Sequence, residues 1–320
     1  MSKLNRMVTN IAMVLLTAIA GLSTQVQAGY INSVVAYGDS LSDNGNLYAA
    51  VGQPGAPYYG GRRSDGPVAV EQLAAALGVP LVDYAWIGAT TGVGNYADAG
   101  TVTSFGSFSL PGMQTVFAQT QASLAPFLAN GLFVVWGGPN DFLAPSPLDP
   151  TYDDIIQRAV QNILGIVNSL GTLGAQNILV PGMPDLGLTP YFRSIGLSAQ
   201  ASAITDAFNG ALRLSLPADV DFYDTASLLR SVVADPGAYG FTNVTDSCFD
   251  GTSVCANPSE YLYFDDFHST TATASLAAQG FLATTVPEPP ALVLVLGGLA
   301  LCWAARKRAL LPPAASAQVG

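Results

Sequence analysis

The sequence is short of the residues that bind metal ions and nucleic acids. Its 320 residues include one histidine and three cysteines, and one of these cysteines lies near the C-terminal end. Residues 29–285 therefore hold one histidine and two cysteines, too few of these side chains for a structural zinc site. Basic residues number only 11, and five of them lie near the two ends of the chain. Residues 29–285 therefore hold six arginines against 21 acidic residues, a net charge of −15 that would repel a phosphate backbone. We expect no binding to nucleic acid.

Apolar residues, glycine and proline are plentiful. Half of the residues are hydrophobic and 10% are charged, which is too apolar for a disordered chain. The 33 glycines and 21 prolines are too many for a coiled coil or a simple helical bundle. The length allows one large domain or two small ones, with a core large enough to be stable by itself.

The first 28 residues have the pattern of a secretory signal peptide. Lys3 and Arg6 precede an apolar run at 11–22, and the small-x-small sequence VQA at 26–28 follows it. We expect cleavage after Ala28. The alternative is a buried first helix. Such a helix would need neither the basic residues before the apolar run nor the polar and small residues after it.

The C-terminal end has a second targeting pattern. Residues 286–290 read VPEPP, an apolar run follows at 291–305, and a basic cluster fills 306–308. A helix over the apolar run would be about 22 Å long, shorter than a hydrocarbon core of about 30 Å. The basic cluster favours a cytoplasmic location for the tail at 309–320.

Residues 286–308 resemble the PEP-CTERM sorting signal of bacterial exported proteins. That resemblance implies recognition by an exosortase-type processing enzyme, removal of the tail and release of the protein. A plain C-terminal membrane anchor is the alternative. Together the two ends predict a precursor attached transiently to the inner membrane through 291–305, with a periplasmic, cell-surface or extracellular mature form.

The cysteines are compatible with export. Cys302 lies in the predicted tail helix, whereas Cys248 and Cys255 lie close together in a loop rich in turn residues. In an oxidising compartment we expect Cys248 and Cys255 to form a disulfide.

Strand and helix patterns alternate between the two ends. Short apolar runs predict strands at 33–37, 81–85, 132–136, 177–180 and 220–223. Amphipathic patterns predict helices at 68–77, 153–170, 201–216 and 271–282. Five strands interleaved with four helices favour one three-layer α/β/α domain at 29–285 with a five-stranded parallel sheet. Sites in such sheets form at the carboxyl ends of the strands, and the long loops 48–66 and 92–111 could shape a cleft there.

Polar residues that could carry chemistry follow two of these strands. Residues 38–46 read GDSLSDNGN, a tight turn that would expose Ser40 beside free backbone N–H groups. Residues 137–141 read GGPND, a rigid turn in which the Asn140 amide is a fixed donor. Taken singly, Ser40 could be an N-cap and the second segment an ordinary β-turn.

The only histidine, His268, lies three residues after Asp265. The aspartate can orient the ring through Nδ1, which leaves Nε2 to accept a proton. Combined with a serine at a strand end, this pattern favours nucleophilic acyl transfer. The order serine, aspartate, histidine also occurs in α/β-hydrolases, but their Gly-x-Ser-x-Gly sequence is missing here.

Four ordered segments resemble the sequence blocks of the GDSL family, also called SGNH hydrolases: 35–43 (VAYGDSLSD), 84–90 (YAWIGAT), 138–141 (GPND) and 265–268 (DDFH). Residues 59–66 (YGGRRSDG) resemble a segment of lipase-like members. Asp83 stands where the family usually has Asn, and Arg63 stands where it often has Phe. The resemblance implies the family's flavodoxin-like fold.

The resemblance also implies a role for each matching residue. Ser40 would be the nucleophile, His268 the general base and Asp265 the residue that orients it. The Ser40 N–H, the Gly88 N–H and the Asn140 side chain would form the oxyanion hole. No cofactor or metal is implied.

The predicted function is exported hydrolysis of carboxylic esters, of the lipase or esterase type, through an acyl-enzyme. Substrates would be small-molecule, lipid or polysaccharide esters. An O-acyltransferase or a polysaccharide O-deacetylase with the same residues is the alternative. A non-catalytic surface or matrix protein is a second alternative.

Overall fold

The computed structural model describes residues 31–286, 297–299 and 303. The chain divides into two units, and one of them spans Gly29–Thr285. The other comprises residues 1–28 and 286–320, of which 297–299 and 303 are described as helical. The predicted signal peptide and most of the predicted sorting signal lie outside the described residues. Within the described ranges, no helix is both long enough and apolar enough to cross a membrane.

The predicted five-stranded parallel sheet is present, with the order β2-β1-β3-β4-β5. The strands are β1 (Ser33–Gly38), β2 (Leu81–Asp83), β3 (Gly131–Trp136), β4 (Asn177–Pro181) and β5 (Asp221–Tyr223). Every residue of β1 and β3 is buried, because helices cover both faces of the sheet. The prediction for the second strand was two residues too long. Beyond Asp83 the chain stays hydrogen-bonded to β1 for a short distance, since the Tyr84 N–H donates to the Ala36 carbonyl at 2.8 Å and the Trp86 N–H donates to the Gly38 carbonyl at 3.1 Å. The Asp83 carboxylate accepts the Ala85 N–H at 2.9 Å.

Nine α-helices lie within the described part of Gly29–Thr285. They are α1 (Asn46–Val51), α2 (Ala69–Leu77), α3 (Met113–Thr120), α4 (Pro139–Leu143), α5 (Tyr152–Leu173), α6 (Pro190–Ser194), α7 (Ser198–Ser215), α8 (Thr225–Ala234) and α9 (Thr271–Thr285). Short 3₁₀ turns lie at Tyr59–Gly61, Tyr96–Asp98, Gln121–Ser123, Leu186–Leu188, Pro236–Tyr239 and Pro258–Glu260. The four predicted helices correspond to α2, α5, α7 and α9.

Alternation along the strands divides the helices into two layers. Val35 and Tyr37 of β1 belong to one core cluster with α3, α5 and α7. Val34 and Ala36 point to the opposite face, where α2 packs on β1 and α9 packs on β4 and β5. Helices α2 and α9 also pack against each other. The fold is thus the predicted three-layer α/β/α arrangement.

Helix α5 shows how local signals set the helix ends. The Thr151 hydroxyl accepts the Asp154 N–H, and the Asp154 carboxylate accepts the Thr151 N–H. Two backbone N–H groups at the start of the helix thus gain side-chain acceptors. Gly174 ends the helix with a φ of 103°, a conformation that favours glycine. The helix therefore spans Tyr152–Leu173, somewhat longer than the predicted 153–170.

A small second sheet was not predicted. It pairs β6 (Asn243–Ser247) with β7 (Tyr261–Tyr263) in parallel. Between these strands, Cys248 and Cys255 form a disulfide. The loop beyond β6 is bonded to the end of β7, since the Cys248 N–H donates to the Tyr263 carbonyl at 3.1 Å. This sheet therefore supports the segment that begins at residue 264 and leads to His268.

Candidate active site

Ser40 lies in a tight turn at the carboxyl edge of the central sheet. A Cβ at Gly38 would lie 2.5 Å from the Trp136 carbonyl oxygen, so only glycine lets β1 approach β3 this closely before the turn. The Asp39 carboxylate then accepts the Leu41 N–H at 3.0 Å and closes the turn around Ser40. Ser40 is held in place and remains 9% exposed.

His268 joins Ser40 and Asp265 in a chain of contacts. Its Nε2 lies 2.9 Å from Ser40 Oγ, and its Nδ1 lies 2.8 Å from Oδ1 and 2.9 Å from Oδ2 of Asp265. When the ring proton is on Nδ1, the carboxylate accepts it and Nε2 is free to accept the serine proton. The three residues that the sequence analysis singled out therefore have the geometry of an activated nucleophile.

Asp265 is fixed as an anion by its hydrogen bonds. Its Oδ1 accepts the N–H groups of Phe267 at 2.9 Å and His268 at 2.7 Å. Burial by itself would raise the pKa of Asp265, but the charge interaction and hydrogen bond with His268, together with these two N–H groups, hold it well below its ordinary value. The carboxylate thus stays ionised and can stabilise a positive imidazole ring.

Tyr58 is a member of this network that the sequence analysis missed. Its hydroxyl donates to Asp265 Oδ2 at 2.8 Å, and Arg63 Nη1 donates to the Tyr58 oxygen at 3.3 Å. The Arg63 guanidinium also lies 5.0 Å from the centroid of the Tyr58 ring. Burial and the neighbouring Asp265 raise the pKa of Tyr58 to about 12, so its hydroxyl keeps its proton.

Gly88 and Asn140 line the same cavity as Ser40 and His268. Gly88 has a φ of 79°, and a Cβ there would lie 2.4 Å from Asn95 Oδ1, so glycine is required. Asn140 Nδ2 donates to the Ala89 carbonyl at 3.0 Å. An amide nitrogen has two hydrogens, so the second can bind an oxygen in the cavity. The three predicted oxyanion-hole positions thus line one cavity.

Comparison with known proteins places this site in a family. A family model described as GDSL-like Lipase/Acylhydrolase matches residues 34–281. The chain belongs to this family. The match contains all four of the GDSL sequence blocks and all of the central sheet except Ser33.

Two relatives of the chain are bacterial. A phosphatidylcholine-sterol acyltransferase of Aeromonas hydrophila is 27% identical over 237 residues, covering 69% of this chain and 66% of that protein. A thermolabile hemolysin of Vibrio parahaemolyticus is 27% identical over 289 residues, covering 81% of this chain and 65% of that protein. The chain thus spans about two thirds of the length of these relatives. A solved lipase from a goat rumen metagenome covers 79% of this chain and 97% of its own, with a TM-score of 0.46 and 15% identity.

The residue that departs from the GDSL pattern before Gly88 has a clear structural role. Asp83 stands where the family usually has Asn, and its Oδ2 accepts the Asn44 N–H at 2.8 Å. Asp43 adds a second link, because its Oδ2 accepts the Ile87 N–H at 2.7 Å. These two carboxylates tie the turn after β1 to the segment that presents Gly88. Burial raises the pKa of both.

Asp39 and Asp141, two further aspartates of the GDSL blocks, also act within the scaffold. Asp141 accepts the Thr91 N–H at 2.9 Å and the Thr91 hydroxyl at 2.6 Å, which joins α4 to the loop after Gly88. Burial raises the pKa of Asp141 to about 7 and that of Asp39 to about 6. Neither carboxylate contacts Ser40 or His268 by a hydrogen bond within the described residues.

The site opens into one cavity of about 940 Å³. Its outer part is bordered by aromatic side chains of the loop 92–111, among them Tyr96 and the 78% exposed Phe108. The expectation that this long loop shapes a cleft is confirmed. Within the part of the chain that the structure describes, no group of three or more His, Cys, Asp and Glu side chains could hold a metal ion.

Proposed function

We propose that this GDSL protein hydrolyses carboxylic esters through an acyl-enzyme formed on Ser40. The observation that carries the proposal is the unbroken contact chain from Ser40 Oγ through His268 to Asp265, with distances of 2.9 and 2.8 Å. It lies in a cavity that Gly88 and Asn140 also line. A nucleophile, a base with its orienting carboxylate, and donors for an oxyanion are the parts that acyl transfer requires.

The reaction follows from these positions. Ser40 Oγ attacks the ester carbonyl carbon as its proton passes to His268 Nε2, and Asp265 stabilises the charged ring. The carbonyl oxygen becomes negative and binds the N–H groups of Ser40 and Gly88 and the free amide hydrogen of Asn140. His268 then protonates the leaving alcohol, and a water molecule activated by the same nitrogen releases the acid.

Replacement of the nucleophile tests the proposal. Ser40→Ala should abolish turnover of a nitrophenyl acetate and labelling by a fluorophosphonate probe, because only the attacking oxygen is removed. Circular dichroism should stay unchanged. A variant that retains substantial turnover would show that Ser40 is not the nucleophile.

We also propose that the enzyme is exported, as the signal peptide pattern at 1–28 and the sorting-signal pattern at 286–308 suggest. The disulfide between Cys248 and Cys255 supports this proposal, because disulfides persist in oxidising compartments. Mass spectrometry of the protein from its native host should find an N-terminus at Gly29 and a C-terminus ahead of residue 291. A mature protein that still begins at Met1 would contradict export through a cleaved signal peptide.

Acyl transfer to an alcohol is the second candidate, since one of the relatives is named as an acyltransferase. The two reactions share the acyl-enzyme and differ in what attacks it. Mass spectrometry of the products formed with a nitrophenyl ester and an added sterol or sugar distinguishes them. A new ester as the main product at low acceptor concentration would make the protein a transferase.

A further inference from the structure

The cavity that contains Ser40 continues into the interior of the domain. We name this buried part the inner arm. Its walls are Trp136, Thr225, Leu229, Tyr263, Ala274 and Ala277, each at most 7% exposed. It lies on the face of the sheet covered by α9, beside the N-terminal part of α8. None of these six residues is charged, so the inner arm is suited to an uncharged group.

Small side chains on α9 create the space. Ala274 and Ala277 are three positions apart, so they lie on the same face of the helix. One turn later, Phe281 packs edge-on against the Trp136 ring with centroids 5.3 Å apart. The helix therefore leaves a space beside Ala274 and Ala277, and the Phe281 side chain fills the core one turn further along. The cavity is of the size that binds small organic ligands.

Two hydroxyl groups interrupt these apolar walls. Thr225 Oγ1 and Tyr263 OH are both fully shielded from solvent, and neither has a hydrogen-bond partner within the described residues. Thr225 is 3% exposed and Tyr263 is 2% exposed. Buried hydroxyls are rarely left unpaired in a folded protein, so an oxygen of a ligand in the inner arm is a natural partner once a small side-chain movement opens each hydroxyl to the cavity. Leu229 and the two alanines offer only apolar contact.

Resting on the proposed ester hydrolysis, we propose that the inner arm binds the acyl chain of the substrate and that Thr225 and Tyr263 recognise a hydroxyl or oxo group on that chain. The chain enters past Ser40, and its methylene groups contact Trp136, Leu229 and the alanines of α9. The two hydroxyls then bind the hydroxyl or oxo substituent, which lies on the acyl chain at a distance from the ester group. The preferred substrate is thus an ester of a hydroxy- or oxo-substituted acid rather than of a plain fatty acid.

The first test removes each hydroxyl and keeps the shape of the side chain. Wild type, Thr225→Val and Tyr263→Phe are assayed on nitrophenyl esters of increasing acyl length, each with a plain, a hydroxy-substituted and an oxo-substituted chain. At its best chain length the wild type should prefer a substituted ester, and each variant should lower that preference in kcat/KM by about tenfold. A preference unchanged in both variants, or a wild type that favours plain chains, overturns the recognition of a substituent.

The second test fills the inner arm. Ala277→Leu should lower kcat/KM for long acyl chains by at least about tenfold more than kcat/KM for an acetyl ester, since an acetyl group stays beside Ser40. Ala283→Leu, at an exposed position of the same helix, is the matched control and should behave like wild type. Unchanged turnover of long chains by Ala277→Leu would show that the acyl chain lies elsewhere.

Acetyl ester hydrolysis separates this inference from the proposed function. If the wild type hydrolyses acetyl esters and Ser40→Ala does not, the proposed function stands whatever the panel of longer chains shows. If the wild type hydrolyses no ester, the proposed function fails and the assignment of the inner arm fails with it.

Discussion

Tyr58 gives the sharpest test of how the site is held together. Tyr58→Phe removes a side-chain hydroxyl that donates to Asp265 at 2.8 Å. The ring itself should stay in place, because Phe249 and Phe264 pack against it with centroids 5.7 and 5.5 Å away. The variant therefore changes a hydrogen bond without opening a cavity.

The expected magnitude follows from the number of donors. Asp265 keeps the two backbone N–H groups and the His268 Nδ1–H, so it remains ionised and oriented. The lost bond is made to a charged acceptor, and such bonds contribute about 1.5–3 kcal/mol. If most of this free energy stabilises the transition state, in which the imidazole ring becomes positive, its loss lowers kcat by about tenfold to a hundredfold. KM for a short ester should stay nearly constant, since the lost hydroxyl binds Asp265 rather than the ester.

Steady-state kinetics on a nitrophenyl acetate measures this effect. Tyr59→Phe is the matched control, because Tyr59 is the next residue in the chain and is 51% exposed. It should retain wild-type kcat. The reasoning is refuted if Tyr58→Phe keeps more than half of the wild-type kcat, or if the control loses as much.

Further outcomes concern the oxyanion hole, the base and the buried acids. Asn140→Ala should lower kcat by about 10²–10³ with little change in KM, and a loss confined to KM in steady-state assays would move Asn140 to substrate binding. Asp265→Asn should lower kcat strongly at every pH, because an amide neither fixes the tautomer of His268 nor stabilises its charged form; near-normal turnover would contradict that role. Burial raises the pKa of Asp141 to about 7 from an ordinary value of 3.8, so the folded protein binds a proton there that the unfolded chain releases. The free energy of unfolding should therefore fall as pH rises between those values, and Asp141→Asn should flatten the Tm profile over this range, while a profile parallel to wild type would refute the shift.

The central sheet was predictable because its strands are buried on both faces and read as continuous apolar runs. The catalytic candidates were predictable because Ser40, Asn140 and the Asp265–His268 pair each lie in a recognisable short segment. The small sheet was not predictable, since Asn243–Ser247 is mostly polar and its partner strand is only three residues long. Helix α8 was also missed, although its Asp224 cap, which accepts the Ser227 N–H at 2.9 Å, is a usable signal.

Tyr58 illustrates what a sequence pattern cannot supply. Its partner Asp265 is 207 positions away, and nothing local to either residue indicates the contact. The segment beside it did resemble a lipase-like block, and its unusual Arg63 turns out to donate to Tyr58. The interior cavity was equally hidden, because Ala274 and Ala277 read as ordinary helix-forming residues. Only the positions of two helices, α8 and α9, and two strands, β3 and β7, together show that space is left between them.

The contact between Ser40 and His268 joins residues 228 positions apart. During synthesis, a growing chain acquires its nucleophile early and its base only near the end of the folded unit. Until β7 and α9 have been made and have docked, Ser40 is an ordinary alcohol with no group to take its proton. The proposed hydrolase therefore stays inactive while it is being made. Its activity begins only once the segment that carries His268 has been made and has folded beside Ser40.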